Sequence, residues 1–282
     1  MVLLSWTVVI FVVSLSQITH GMPTSGSDIS EQSDSPAHIF RRQLPVFLNW
    51  PTDSPGDTKK DALTQAFKDM VKVVNQVLNS DTATYNAIFD KYFLPEHQDA
   101  VKVVFQNMVA PATNDPSTGA DILSTIDIHP EDYLPTMIKQ CSGLNSNKRP
   151  LAYTNNPIDE PQTRIHFCDT TALNAYAYPK LDDINCGTID LFVSYKMLSL
   201  GGYVLLHELT HVNKVSQAAI MPFKQKGNVV GDYQYGPWFT RQLRSTMETS
   251  PLVIANADNY AWFANVRPGT YILGKENKLT IM

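Results

Sequence analysis

The chain has 282 residues, 43% of them hydrophobic, which suffices for a sizeable core in one domain or two. Its formal net charge is −5 and no Lys/Arg cluster forms a basic footprint, which argues against nucleic acid and a membrane surface as partners. What remains is a protein or peptide partner.

The mostly apolar run from Val2 to Leu15, centred on Val8-Val9-Ile10-Phe11-Val12-Val13, suits a signal-peptide core and falls short of the about 20 residues a spanning helix needs. Thr19 and Gly21 occupy the small-residue positions before a cleavage site, so residues 1–21 read as a signal peptide and the protein as secreted. After its removal no membrane segment is expected. Residues 22–42 have the Ser/Pro/Asp-rich composition of a disordered segment and end at Arg41-Arg42. A dibasic pair there reads as a processing site that releases a propeptide, the plainer reading being a solvated basic pair.

Residues 43–149 read as a helical N-terminal part. From Thr58, Leu63, Ala66, Phe67, Met70, Val73, Val74 and Val77 recur at i, i+3, i+4 spacing, which predicts an amphipathic helix. A second helix is expected over Asp81 to Tyr92. A third is expected over Glu96 to Val109, with Val101, Val104, Phe105 and Met108 on its apolar face and Pro111 as its stop. None of these stripes carries a constellation of ionisable groups that reads as chemistry.

From Pro150 the pattern changes. Leu151 to Thr154 and Arg164 to Cys168 read as short strands. In the second, Ile165 and Phe167 face one way while Arg164, His166 and Cys168 face the other, so His166 reads as a partly exposed strand histidine. Asp182-Asp183 reads as a solvated turn, and a further helix is expected over residues 187–198. Three cysteines, Cys141, Cys168 and Cys186, leave either one free thiol or an intermolecular bridge in an oxidising compartment. Cys168 and Cys186 flank a turn-rich segment and are the expected pair, worth about 3 kcal/mol through the loop they close.

Tyr203-Val204-Leu205-Leu206-His207-Glu208-Leu209-Thr210-His211-Val212 contains His-Glu-x-x-His behind an apolar run. Histidines four apart lie on one face of a helix, so both imidazoles can bind one ion. Neutral imidazole suits zinc, one ion per chain, and a catalytic zinc keeps three protein ligands. Glu208 is turned about 100° round the helix from His207, where a carboxylate can act as general base. Leu205, Leu206, Leu209 and Val212 cover the remaining faces and should be buried. Beyond a Lys/Gly loop, Asp232 is the leading candidate for third ligand, a turn aspartate that caps the next helix being the alternative. Asp258 either binds the metal or accepts the free ring N–H of a ligand histidine.

These residues resemble the deuterolysin-type fungal metalloendopeptidases, the aspzincins. The family combines His-Glu-x-x-His with Gly-Thr-x-Asp-x-x-Tyr-Gly, and here Val229-Val230-Gly231-Asp232-Tyr233-Gln234-Tyr235-Gly236 keeps the Asp, Tyr and Gly in register, with Val229-Val230 where the family has Gly-Thr. Asn256-Ala257-Asp258-x-Tyr260-Ala261 is similar to the family's C-terminal Asn-Ala-Asp-x-Tyr-Ala. The resemblance covers roughly residues 150–265. It implies His207, His211 and Asp232 as ligands, Glu208 as base, Tyr235 as the phenol that hydrogen-bonds the oxyanion, and Asp258 as the partner of a ligand histidine. It also implies a disulfide loop from Cys168 to Cys186 ahead of the zinc helix. By analogy with zincins, Arg164, Ile165, His166 and Phe167 would form the edge strand that pairs with extended substrate.

The expected fold is thus α+β, a zincin-like domain with N-terminal helices, a small twisted sheet and a zinc helix, residues 150–282 forming the catalytic part. The expected function is zinc-dependent peptide hydrolysis. Its rival is a secreted zinc-binding protein without turnover, which captures metal or engages a surface. Nothing in the sequence bears on oligomeric state.

Overall fold

The computed structural model describes residues 46–47, 58–109, 119–130, 141, 150–156, 163–168, 201–223 and 229–265, all within one unit spanning Arg41–Met282. The expected signal peptide, the Arg41-Arg42 site, Asp182-Asp183, Cys186 and the helix over 187–198 lie outside the described residues.

Three helices come first: α1 (Thr58–Leu78), α2 (Thr82–Tyr92) and α3 (Gln98–Gln106). The seven apolar residues that announce α1 are all buried. The third helix is shorter than its pattern suggests. Pro95 to His97 form a separate 3-10 turn, and α3 ends three residues before Val109. Apolar spacing alone does not separate a 3-10 turn from the first turn of a helix.

The sheet takes the order β1-β2-β4-β3, from β1 (Val46–Phe47), β2 (Ile126–Pro130), β3 (Ala152–Asn155) and β4 (Thr163–Phe167). β1 and β4 run parallel to β2, and β3 is antiparallel to β4. β4 is therefore an inner strand. Arg164, Ile165, His166 and Phe167 spend their backbone groups on two neighbours and cannot pair with an added peptide. The edge is β3. Alternation misleads here because the second face is also covered: His166 is fully buried, its ring stacked on Tyr153 at 4.5 Å and on His129 at 5.3 Å between centroids.

The cysteine pairing also differs from expectation. Cys168 directly follows β4, and Cys141 bridges to it with Cα atoms 5.1 Å apart. Bridging requires Cα atoms within about 7 Å, a condition that loop length does not rank. The pair is Cys141–Cys168 in place of Cys168–Cys186.

Four helices follow among the described residues: α4 (Gly201–His211), α5 (Asn213–Ile220), α6 (Pro237–Leu243) and α7 (Ala257–Asn265). α4 lies against α1, α7 and β3, with Leu205, Leu206, Leu209 and Val212 buried as their pattern requires. A Cβ at Gly202 would sit 3.0 Å from the Asp69 Cβ and 3.1 Å from the Ala66 carbonyl oxygen, so the close approach of α1 to α4 depends on glycine. α7 is clamped by aromatic rings. Phe263 meets Tyr85, Phe89 and Phe93 edge-on at 5.3 to 5.7 Å, and Tyr260 meets Phe93 at 5.0 Å. The N-terminal helices thus supply the wall on which α4 and α7 are set.

Candidate metal centre

α4 carries both histidines on one face, and their Nε2 atoms stand 3.2 Å apart. Asp232 follows a buried Val230 and brings one carboxylate oxygen to 3.0 Å from His207 Nε2 and 3.2 Å from His211 Nε2. The three donor atoms form a near-equilateral triangle. A tetrahedral zinc with bonds of about 2.0 Å sets its donors about 3.3 Å apart, so the triangle fits that ion. The other ring nitrogens are already engaged: His207 Nδ1 lies 3.0 Å from Asp258 Oδ1, and His211 Nδ1 lies 2.9 Å from the Val230 carbonyl oxygen. A carboxylate and a carbonyl only accept, so each Nδ1 carries the hydrogen and, in the neutral ring, each Nε2 turns a lone pair to the centre.

The local field favours positive charge. Burial alone would push His207 towards the neutral form, but the Asp232 and Asp258 carboxylates outweigh it and hold its pKa up to about 10. The same pairing pulls the Asp232 carboxyl far below its usual range against the effect of its own burial. A site that holds a proton this tightly offers the same attraction to a divalent cation.

Two side chains of the C-terminal segment shape the loop that carries Asp232. Gly231 and Asn256 form a parallel bridge, with Gly231 N–H donating to the Ala255 carbonyl at 2.8 Å and Ala257 N–H to the Gly231 carbonyl at 3.0 Å. The fully buried Asn256 then acts as a splint. Its Oδ1 accepts from the Tyr233 and Gln234 N–H groups at 2.8 and 3.0 Å, and its Nδ2 donates to the Gln234 carbonyl and to Asn259 Oδ1. Asp258, also buried, accepts four donors: the Tyr203 hydroxyl, His207 Nδ1, the Gly236 N–H and Trp262 Nε1. It lies on the far side of His207 from Asp232. Gly236 reaches it with φ at +84°, a conformation that glycine adopts without strain.

Position 230 contacts His211 through its main-chain carbonyl, which any residue supplies. Tyr235 is exposed, with its ring lying nearly flat on His207 at 5.8 Å. Partial burial and the neighbouring Asp232 carboxylate both raise its phenol, so it is a hydrogen-bond donor at neutral pH. Tyr233, Trp238 and Phe239 are exposed nearby in sequence.

Glu208 is buried, and Thr154 of β3 holds it: the Thr154 Oγ1 lies 2.8 Å from Glu208 Oε2 and 2.9 Å from the Glu208 carbonyl oxygen. Asn156 donates through Nδ2 to the His211 carbonyl at 2.9 Å, while its Oδ1 accepts from the Asn213 N–H at 3.2 Å. It thereby closes α4 and opens α5. Sequence reading passes over Thr154, Asn156, Tyr203 and Trp262, because none has a local signature and each acts across at least 50 residues or from a neighbouring turn. Asn256 was visible only as part of a motif, without a role.

His207, His211 and Asp232 are the one group of this kind among the described residues, and His166 of β4 does not belong to it. No described helix is long and apolar enough to cross a membrane.

No family model and no curated protein matches the chain. Among solved structures, it is similar to a zinc peptidase from Grifola frondosa, with a TM-score of 0.39 and 15% identity over 75% of this chain and 96% of that one. A likeness at that level carries no argument for fold or activity.

Proposed function

We propose that the chain is a secreted zinc endopeptidase of the aspzincin type, a zincin-like fold whose catalytic part spans 150–282. The observation that carries this reading is the donor triangle with sides of 3.0 to 3.2 Å beside a carboxylate on the same helix. His207, His211 and Asp232 would hold one zinc, which supplies an activated water and a polarised carbonyl when bound. Glu208 removes a proton from the attacking water and delivers it to the departing amine. The Tyr235 phenol donates to the oxyanion as charge develops there. Asp258 keeps the His207 ring in the tautomer that presents Nε2. Extended substrate runs along β3, the outer strand of the sheet on the α4 side. The Cys141–Cys168 bridge supports an oxidising compartment, in keeping with a leader over 1–21 and release of a propeptide at Arg42.

The test uses secreted protein, before and after cleavage at Arg42. Metal content is measured by mass spectrometry beside hydrolysis of an unstructured protein, with and without chelator. One zinc per chain, chelator-sensitive cleavage, and a Glu208→Gln variant that keeps zinc but loses about 100- to 10,000-fold in rate are the expected results. Stoichiometric zinc without cleavage would instead favour the non-catalytic zinc-binding protein, and absence of zinc would remove both readings.

A further inference from the structure

β3 joins the outer edge of the sheet to the base of the site through one residue. In an antiparallel ladder, opposed pairs alternate between those that exchange hydrogen bonds and those that do not. Cys168 N–H donates to the Leu151 carbonyl at 2.9 Å, so Leu151 opposite Cys168 is a bonded pair. The register places Ala152 opposite Phe167, Tyr153 opposite His166, Thr154 opposite Ile165 and Asn155 opposite Arg164. Bonded pairs are then Tyr153 with His166 and Asn155 with Arg164. It follows that Ala152 and Thr154 turn their N–H and carbonyl away from β4, towards the outer edge. The Thr154 side chain, meanwhile, stands 2.8 Å from the Glu208 carboxylate.

We propose that Thr154 is a positioning residue for peptide hydrolysis, aiming Glu208 through its hydroxyl while its main chain faces the bound peptide. The inference rests on the peptidase reading above. Its physical content lies in the two acceptors around one hydroxyl, the Glu208 carboxylate at 2.8 Å and the Glu208 carbonyl at 2.9 Å. When Glu208 is ionised, the Thr154 proton goes to the carboxylate. After Glu208 has taken the proton from water on its other oxygen, Oε2 keeps a lone pair and goes on accepting from the same hydroxyl. One oxygen of the carboxyl thus stays tethered in both states, and the other is left to the water and then to the departing amine. Because the tether leaves from the strand that lines the substrate, the base and the scissile bond share one frame of reference.

Three variants test this against the parent chain with a peptide substrate. Thr154→Val keeps the shape and removes the hydroxyl, Thr154→Ala removes it without adding apolar bulk, and Thr154→Ser keeps it. Val or Ala should lower kcat about 10- to 100-fold with KM within about twofold and one zinc still bound, and Ser should restore kcat to within about threefold of the parent. If Val folds poorly, the Ala and Ser pair carries the comparison. Unchanged kcat in Val and Ala overturns the proposal. So does a fall in kcat that tracks lost zinc or a lowered melting midpoint and that Ser does not reverse, since that is the mark of a structural role. A parent that binds zinc yet cleaves nothing overturns the peptidase reading and this one together, whereas an active parent with indifferent variants overturns this one alone.

Discussion

Two walls meet at the donor triangle, and they are held by different means. The wall from Gly231 to Gly236 has no repeating structure, and its shape depends on two buried side chains, Asn256 and Asp258. The opposite wall, β3, is fixed by the backbone ladder to β4, and Thr154 and Asn156 only fasten it to α4. A ladder spreads its hydrogen bonds over many residues, so losing one side chain leaves the strand in place. A splinted loop concentrates them. The position of Asp232 therefore depends on the Asn256 amide in a way that the position of β3 does not.

This contrast can be broken by substitution. Asn256→Ala removes four hydrogen bonds, two of them from main-chain N–H groups at part-buried positions and one to the buried Asn259, which should cost about 2 kcal/mol or more. It should also abolish tight zinc binding, because Asp232 then loses its fixed position. Chemical denaturation and zinc titration check both effects, and near-parent zinc affinity would mean that the loop holds itself. On the other wall, Asn156→Ala removes the cap between α4 and α5 and should cost about 1 kcal/mol with zinc stoichiometry intact. Equal losses in the two variants would erase the distinction between the walls.

A third effect concerns acid. His129 on β2 is buried, and burial, aided by His166 and Arg164, lowers its pKa to about 4 from an unfolded value of 6.5. Between those values the unfolded chain binds a proton that the folded chain excludes. The stability His129 lends is therefore complete above pH 6.5 and is lost as pH falls towards 4. His97, likewise lowered to about 4 chiefly by burial, adds to the same trend. Melting midpoints measured with chelator present, so that metal release plays no part, should fall over this range, and His129→Phe should flatten the slope. A midpoint independent of pH would mean that both rings carry protons in the fold.

How much of this was legible beforehand follows from the range of each interaction. The α1 stripe and the His207–His211 spacing are helix geometry, set by residues three and four apart, and both can be read from a short window of sequence. Asp232 and Asp258 could be named through short motifs, but not the side of His207 on which each would lie. β2 escaped notice because its polar alternates, Asp127 and His129, are buried instead of exposed, and a five-residue strand offers no other sign. β4 was expected to be an edge by analogy with zincins, and its place between β2 and β3 rests on pairing between distant segments that periodicity does not carry. The residues alone determined the helical stripes and a histidine pair able to hold a metal. Only the tertiary structure decided that Cys141 bridges Cys168, that β3 is the outer strand, and that Thr154 and Asn256 hold the two walls. Those contacts join distant segments, and their existence depends on which surfaces the whole chain packs together, a quantity that no local spacing contains.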